Sequence, residues 1–154
     1  MGGNGMKKYF LIIVLVLVGG FIFTSMAQGA NCHLRVKKIK AERNFLTRKT
    51  LVAEAFAACP ENATVVFMYA FSQERYGKLE SALKYYTKAA VLDPEMAKAF
   101  FGMGDVYAEL GKDDLAVMAY AKGLTLDPTN VRAIRSKTAL QSGLPKTNPM
   151  AEVK

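Results

Sequence analysis

The chain has 154 residues, 51% of them hydrophobic, and a net charge of +8 from 21 Lys or Arg against 13 Asp or Glu. Its 2 Cys and 1 His fall at Cys32, His33 and Cys59, with no further His or Cys cluster beside them to suggest a metal centre. The positive charge invites nucleic acid, yet no finger, RNA-recognition or OB signature is present, and the N-terminal segment predicts export from the cytoplasm.

In chain order, Lys7 and Lys8 precede an apolar run from Phe10 to Phe23, and small residues follow, with Ser25 three places before a cut after Ala27. That is the layout of a secretory signal peptide over 1–27, with Met6 an alternative start, and it predicts an exported, periplasmic protein. The run is short for a membrane span. The competing expectation is an uncleaved inner-membrane anchor lengthened by Thr24 to Ala27. In that case Arg35, Lys37, Lys38, Lys40 and Arg43 outnumber Lys7 and Lys8, and the positive-inside bias would hold the remainder in the cytoplasm. Asn31 before Cys32 does not fit a lipoprotein signal, and Met6 stands where N-myristoylation wants Ser or Thr.

Without the leader about 125 residues remain, enough for one layered helical core. Residues 28–60 are basic: between 31 and 60, Glu42 and Glu54 face seven Lys or Arg. Two courses are open for this segment. Antiparallel helices over 33–44 and 47–58, turning near Asn44, would bring Cys32 beside Cys59, and a disulfide suits an oxidising compartment. A single helix from Leu34 to Ala58, which has no internal Gly or Pro, would hold the sulfurs roughly 40 Å apart at about 1.5 Å per residue.

Downstream, Pro60, Pro94 and Pro128 recur every 34 residues. Gly77 and Gly111, Ala82 and Ala116, Tyr86 and Tyr120, and the Leu-Asp-Pro endings at 92–94 and 126–128 keep the same offsets. The glycines end one helix and turn the chain into the next. Ala70, Gly104, Ala82, Ala89, Ala116 and Gly123 are small residues where helices cross, and Tyr86 and Tyr120 fill the remaining gaps. Each proline ends a second helix. Val131 to Gln141 reads as a capping helix with Val131, Ile134 and Leu140 on its apolar side, and 142–154 as a flexible polar tail.

These residues resemble the tetratricopeptide repeat family. Residues 97–130 supply Phe100, Met103-Gly104, Tyr107, Gly111, Ala116, Tyr120 and Pro128, departing at Gly123, where the family has alanine. Residues 63–96 supply Ala70, Gly77, Ala82, Tyr86, Ala89 and Pro94, departing at Val66 and Gln73. In the upstream segment Ala55 and Phe56 resemble a second helix, while Arg48 stands where the motif wants alanine. The resemblance implies an all-α fold: a short superhelical solenoid of antiparallel helix pairs, here a degenerate pair at 28–60, two repeats and a C-terminal cap.

It also implies a non-enzymatic adaptor whose first helices line a concave groove for a peptide or a partner's helix. The family's groove positions fall on Thr64, Phe67, Phe71, Glu74 and Arg75, on Lys98, Phe101, Asp105 and Glu109, and on Arg132 and Arg135. Phe67 and Phe71 replace the Lys and Asn of the carboxylate-clamp subgroup, so capture of chaperone C-terminal tails is not expected. An aromatic floor of Phe67, Phe71 and Phe101 with cations at one end suits a protein ligand carrying apolar anchors beside acidic groups. Anionic membrane or envelope polymer is a second expected contact, and self-association of a membrane-anchored assembly component is the alternative function. The opposing expectation is that Val65 to Phe71, apolar almost all round, is covered by the basic segment through Ile39, Phe45 and Leu46.

No catalytic constellation, cofactor or metal is expected. Gly102-Met103-Gly104 lacks the third glycine of a phosphate loop and lies inside a helix. Asp113-Asp114 opens a helix, where carboxylates meet free amides and the positive dipole end. Asn62-Ala63-Thr64 matches a glycosylation pattern by chance.

Overall fold

The computed structural model describes residues 31–143, so the leader over 1–27 and the tail from 144 onward lie outside the described residues. Within that range every regular element is a helix. Helix α1 occupies 31–41, α2 Phe45–Ala58, α3 Ala63–Arg75, α4 Leu79–Leu92, α5 Ala97–Glu109, α6 Asp113–Leu126 and α7 Val131–Gln141.

The chain takes the two-helix course through the basic segment, and side chains alone make the break. The Asn44 side-chain oxygen accepts from the Leu46 and Thr47 amides at 3.0 and 3.1 Å, satisfying donors that the start of α2 would otherwise leave unpaired. The Glu42 carboxylate accepts from the Asn44 amide at 2.6 Å, and Arg48 Nε donates to the Glu42 carbonyl at 2.9 Å. Cys32, Val36 and Ile39 of α1 then bury against Val52 and Ala55 of α2, Cys59 at its C-cap and Val65 of α3. Cys32 and Cys59 are joined by a disulfide with their Cα atoms 6.0 Å apart.

The two repeats are α3–α4 and α5–α6. Gly77 and Gly111 have φ of +67° and +71°, where a Cβ would be strained. At each, a pair of crossed bonds closes the first helix: Lys78 N–H to Gln73 O at 3.0 Å with Gly77 N–H to Glu74 O at 2.8 Å, and Lys112 N–H to Tyr107 O at 2.8 Å with Gly111 N–H to Ala108 O at 3.2 Å. Asn62 caps α3 through the Val65 amide at 3.1 Å, which gives that residue a structural role. Asp113 and Asp114 occupy the first turn of α6, after an N-cap at Lys112 whose side chain makes no capping bond.

Ala70, Ala82, Ala89 and Ala116 are fully buried, as the crossings require. A Cβ added to Gly104 would meet the Tyr120 ring at 2.7 Å, and one on Gly102 the Tyr86 ring at 2.4 Å, so both helical glycines are seats for tyrosine rings. The cap differs from expectation. Helix α7 turns Ala133 into the core, at the offset occupied by buried Ala99 one repeat earlier, and leaves Val131 and Ile134 exposed while Leu140 packs at the edge. A small residue is needed where the backbones approach most closely, which overrides the larger side chains.

Candidate functional site

Helix α3 runs along one side of an open cleft of about 550 Å³. Phe67, Met68 and Phe71 supply its apolar floor, and Arg75 stands at its end. The opposite wall is Val52, Lys49, Arg48 and Phe45 of α2, closed by Ile39 and Lys40 from the end of α1. Phe67 is half-buried, its ring 5.6 Å from that of Tyr86, whereas Phe71 is 50% exposed into the opening. The basic segment therefore walls these aromatics without roofing them, and Leu46, expected as part of a cover, is 70% exposed.

Arg48 accounts for the opening. It lies one period before Ala82 and two before Ala116, both fully buried at helix crossings. A guanidinium cannot occupy such a crossing. Arg48 instead stays exposed and folds back on the Glu42 carbonyl, which leaves a gap where the repeats proper close.

The ionisable groups lining the cleft, Lys40, Arg48, Lys49 and Arg75, are all cations. The Lys49 ammonium also lies 4.0 Å over the ring of Tyr76. Further along the first helices the sign reverses. Glu74 accepts from the Tyr86 hydroxyl at 2.5 Å, and burial, together with the nearby charges of Asp105 and Glu109, raises its carboxyl above the ordinary 4.5 against the lowering effect of that hydrogen bond. Asp105 accepts from the Tyr120 hydroxyl at 2.6 Å and from Arg132 at 2.7 and 2.8 Å.

Of the groove residues expected from sequence, Phe67, Phe71 and Arg75 come together in the cleft. Phe101 does not join them, and its place in an aromatic floor is corrected: it is 2% exposed and packs in the α5–α6 core, because Gly123 leaves room for its ring. Asp105 and Arg132 meet each other across α5 and α7 rather than presenting two separate charges. Lys98 and Arg135 are exposed but line no part of the cleft. Sequence reasoning did not place Lys40, Arg48 and Lys49 in the site; the departure at Arg48 was the available signal. Among the described residues no three His, Cys, Asp or Glu side chains gather as a metal site, and no helix is long and apolar enough to cross a membrane.

Comparison with known proteins places this geometry. Residues 97–130 match the tetratricopeptide repeat family model. The Arabidopsis OM64 TPR domain is similar in structure, with a TM-score of 0.66 at 21% identity over 73% of this chain and 96% of that one. The second TPR domain of human RPAP3, solved with the HSP70 peptide SGPTIEEVD, gives 0.61 at 25% identity over 75% and 97% of the two chains. The Sgt2 TPR domain from Aspergillus fumigatus gives 0.61 at 17% identity over 81% and 89%. No curated protein sequence matches the chain. The fold is a tetratricopeptide-repeat solenoid, all-helical, with a basic helix pair packed on its first repeat.

Proposed function

We propose that the chain is a non-enzymatic adaptor that binds a protein partner through an extended segment, placing an apolar side chain on Phe67 and Phe71 and acidic groups against Lys40, Arg48, Lys49 and Arg75. The observation that carries this reading is the cleft itself: an open apolar floor whose ionisable rim is entirely cationic. Such a site rewards an apolar anchor with burial and an adjacent carboxylate with charge-assisted hydrogen bonds. The peptide held by the RPAP3 domain is acidic at its end, which supports a peptide ligand for this fold. Here the floor is aromatic where the carboxylate-clamp subgroup is polar, so the anchor contributes more and the terminal carboxylate less.

The adaptor is exported by the leader over 1–27 and acts in the periplasm. Support comes from Lys7 and Lys8, the apolar run and the small residues before Gln28, and from a disulfide suited to an oxidising compartment.

Selection from a random displayed-peptide library tests the binding site. The expected outcome is enrichment of an apolar residue flanked by Asp or Glu, lost on Phe71→Ala and on Arg75→Glu in variants with unchanged circular dichroism. Enrichment that survives both substitutions would place binding elsewhere.

A further inference from the structure

We infer that the α1–α2 turn is a docking tip for an anionic phospholipid bilayer, a contact that shares Phe45, Lys40, Arg48 and Lys49 with the cleft and adds Arg43 and Leu46, which lie outside it. Phe45 and Leu46 form the first turn of α2 and are 50% and 70% exposed. Apolar side chains at the first two positions of a helix do nothing for its free amides, which Asn44 already satisfies. Leu46 is the more exposed of the two and lies outside the cleft, while Phe45 stands on the cleft's rim.

The surrounding charge selects the phase. Lys40, Arg43, Arg48 and Lys49 are all exposed around this pair, and the one nearby acid, Glu42, has its carboxylate engaged by the Asn44 amide. Cations around an inserted apolar pair are attracted to anionic headgroups and keep their ammonium and guanidinium groups at the interface. Tyr76, half-buried with its hydroxyl inside the protein, backs the pair: the Phe45 ring is 5.7 Å from its own and Lys49 lies over its face. The tip is also stiff. Arg48 ties α2 to the Glu42 carbonyl, and the Cys32–Cys59 disulfide fixes the far ends of both helices, so little ordering cost accompanies insertion. The exposed pair Leu115 and Met118 on α6 lacks this setting, having Asp113 and Asp114 beside it.

The chain contains no tryptophan, so Leu46→Trp in the full chain makes a single reporter local to the tip. Phosphatidylcholine vesicles with and without phosphatidylglycerol are the probes, with Met118→Trp as the distant control. A blue shift at position 46 that needs phosphatidylglycerol, is quenched by brominated acyl chains and fades with salt supports the proposal. Arg43→Glu in the reporter chain should then weaken partitioning by on the order of tenfold. Arg43 and Leu46 line no part of the cleft, so these changes leave peptide selection intact, whereas Phe71→Ala does the reverse. No shift at 46, an equal shift on neutral vesicles, or an equal shift at 118 would overturn it. So would a shift given by a soluble Phe-Asp-Glu peptide and not by vesicles, which would assign the tip to a protein partner.

Discussion

The ring of Phe101 occupies the space that a Cβ on Gly123 would need, 2.4 Å from where that atom would stand. One repeat earlier Ala89 takes the place of Gly123, and the equivalent ring, Phe67, remains half-buried and reaches the cleft. Two phenylalanines at the same repeat offset thus have opposite roles, decided by one methyl group on the facing helix. Gly123→Ala should force the Phe101 ring outward. Overpacking of this kind costs about 1–3 kcal/mol, against which the better helix propensity of alanine returns about 1 kcal/mol. We expect a net loss of about 1 kcal/mol by urea unfolding. In Phe101→Ala the same Gly123→Ala change should become neutral or stabilising, and additive effects across that double-mutant cycle would contradict the packing account.

Asp105 holds two partners at once, the Tyr120 hydroxyl and the Arg132 guanidinium. Its side chain is 24% exposed and that of Arg132 57%, so solvent screens the ion pair and the hydroxyl bond is the more sensitive contact. Asp105→Asn keeps an acceptor for Tyr120 and should cost under about 1 kcal/mol. Asp105→Ala takes away the acceptor of a buried tyrosine hydroxyl, leaving it only the Ser136 side chain, and should cost about 1–2 kcal/mol. Equal losses in the two variants would mean that the charge, not the hydroxyl, dominates.

Glu74 makes stability depend on pH in an unusual sense. Burial raises its folded-state carboxyl above 4.5, so the folded chain holds this proton more tightly than the unfolded chain. The contribution is fully present below the unfolded value and is lost as pH rises through the folded one. Glu74→Gln retains an oxygen to accept from Tyr86 and removes the charge. At neutral pH the variant should be at least as stable as the parent, and the parent should gain on it as the solution is acidified toward 4.5. A parent that loses ground to the variant on acidification would reverse the sign assigned here. Tyr86 adds an alkaline counterpart: burial and the Glu74 contact raise its phenol above the ordinary 10.0, so its share of stability disappears at high pH.

How much of this was legible depended on whether a residue's role is set by its own repeat or by a neighbour. The turns at Gly77 and Gly111 and the crossings at Ala82, Ala116, Tyr86 and Tyr120 recur at fixed offsets, and their positions in the solenoid follow from that alone. Phe71 and Arg75 reach the cleft from the first-helix face, as their offsets imply. Phe101 misled because its burial is decided by Gly123 on another helix. The far wall was less readable. The turn before Asn44 carries no Gly or Pro, and its capping bonds leave only an asparagine as a sequence trace. In α7 the choice of Ala133 over Val131 and Ile134 as the inward residue reflects how closely two backbones approach, which apolar periodicity does not encode.

The disulfide is the remaining covalent determinant of the cleft, because it joins the start of α1 to the end of α2 across 27 residues of sequence. Closing a loop of that length should stabilise the fold by about 3 kcal/mol, mainly by restricting the unfolded chain. The Cys32→Ser, Cys59→Ser variant should therefore unfold at lower urea than the oxidised parent, and reduction should bring the parent to a similar midpoint. The loss should not be uniform. Helix α1 is anchored besides Cys32 only by Val36 and Ile39 among the buried core residues, whereas α3 to α6 contain the alanine and tyrosine crossings. Amide hydrogen exchange should accordingly quicken first over 31–41, with α4 to α6 still protected. Because Ile39 and Lys40 close one end of the cleft, peptide affinity should fall in the same variant while circular dichroism changes little. Unchanged exchange over 31–41 after both sulfurs are removed would show that packing alone holds α1 in place.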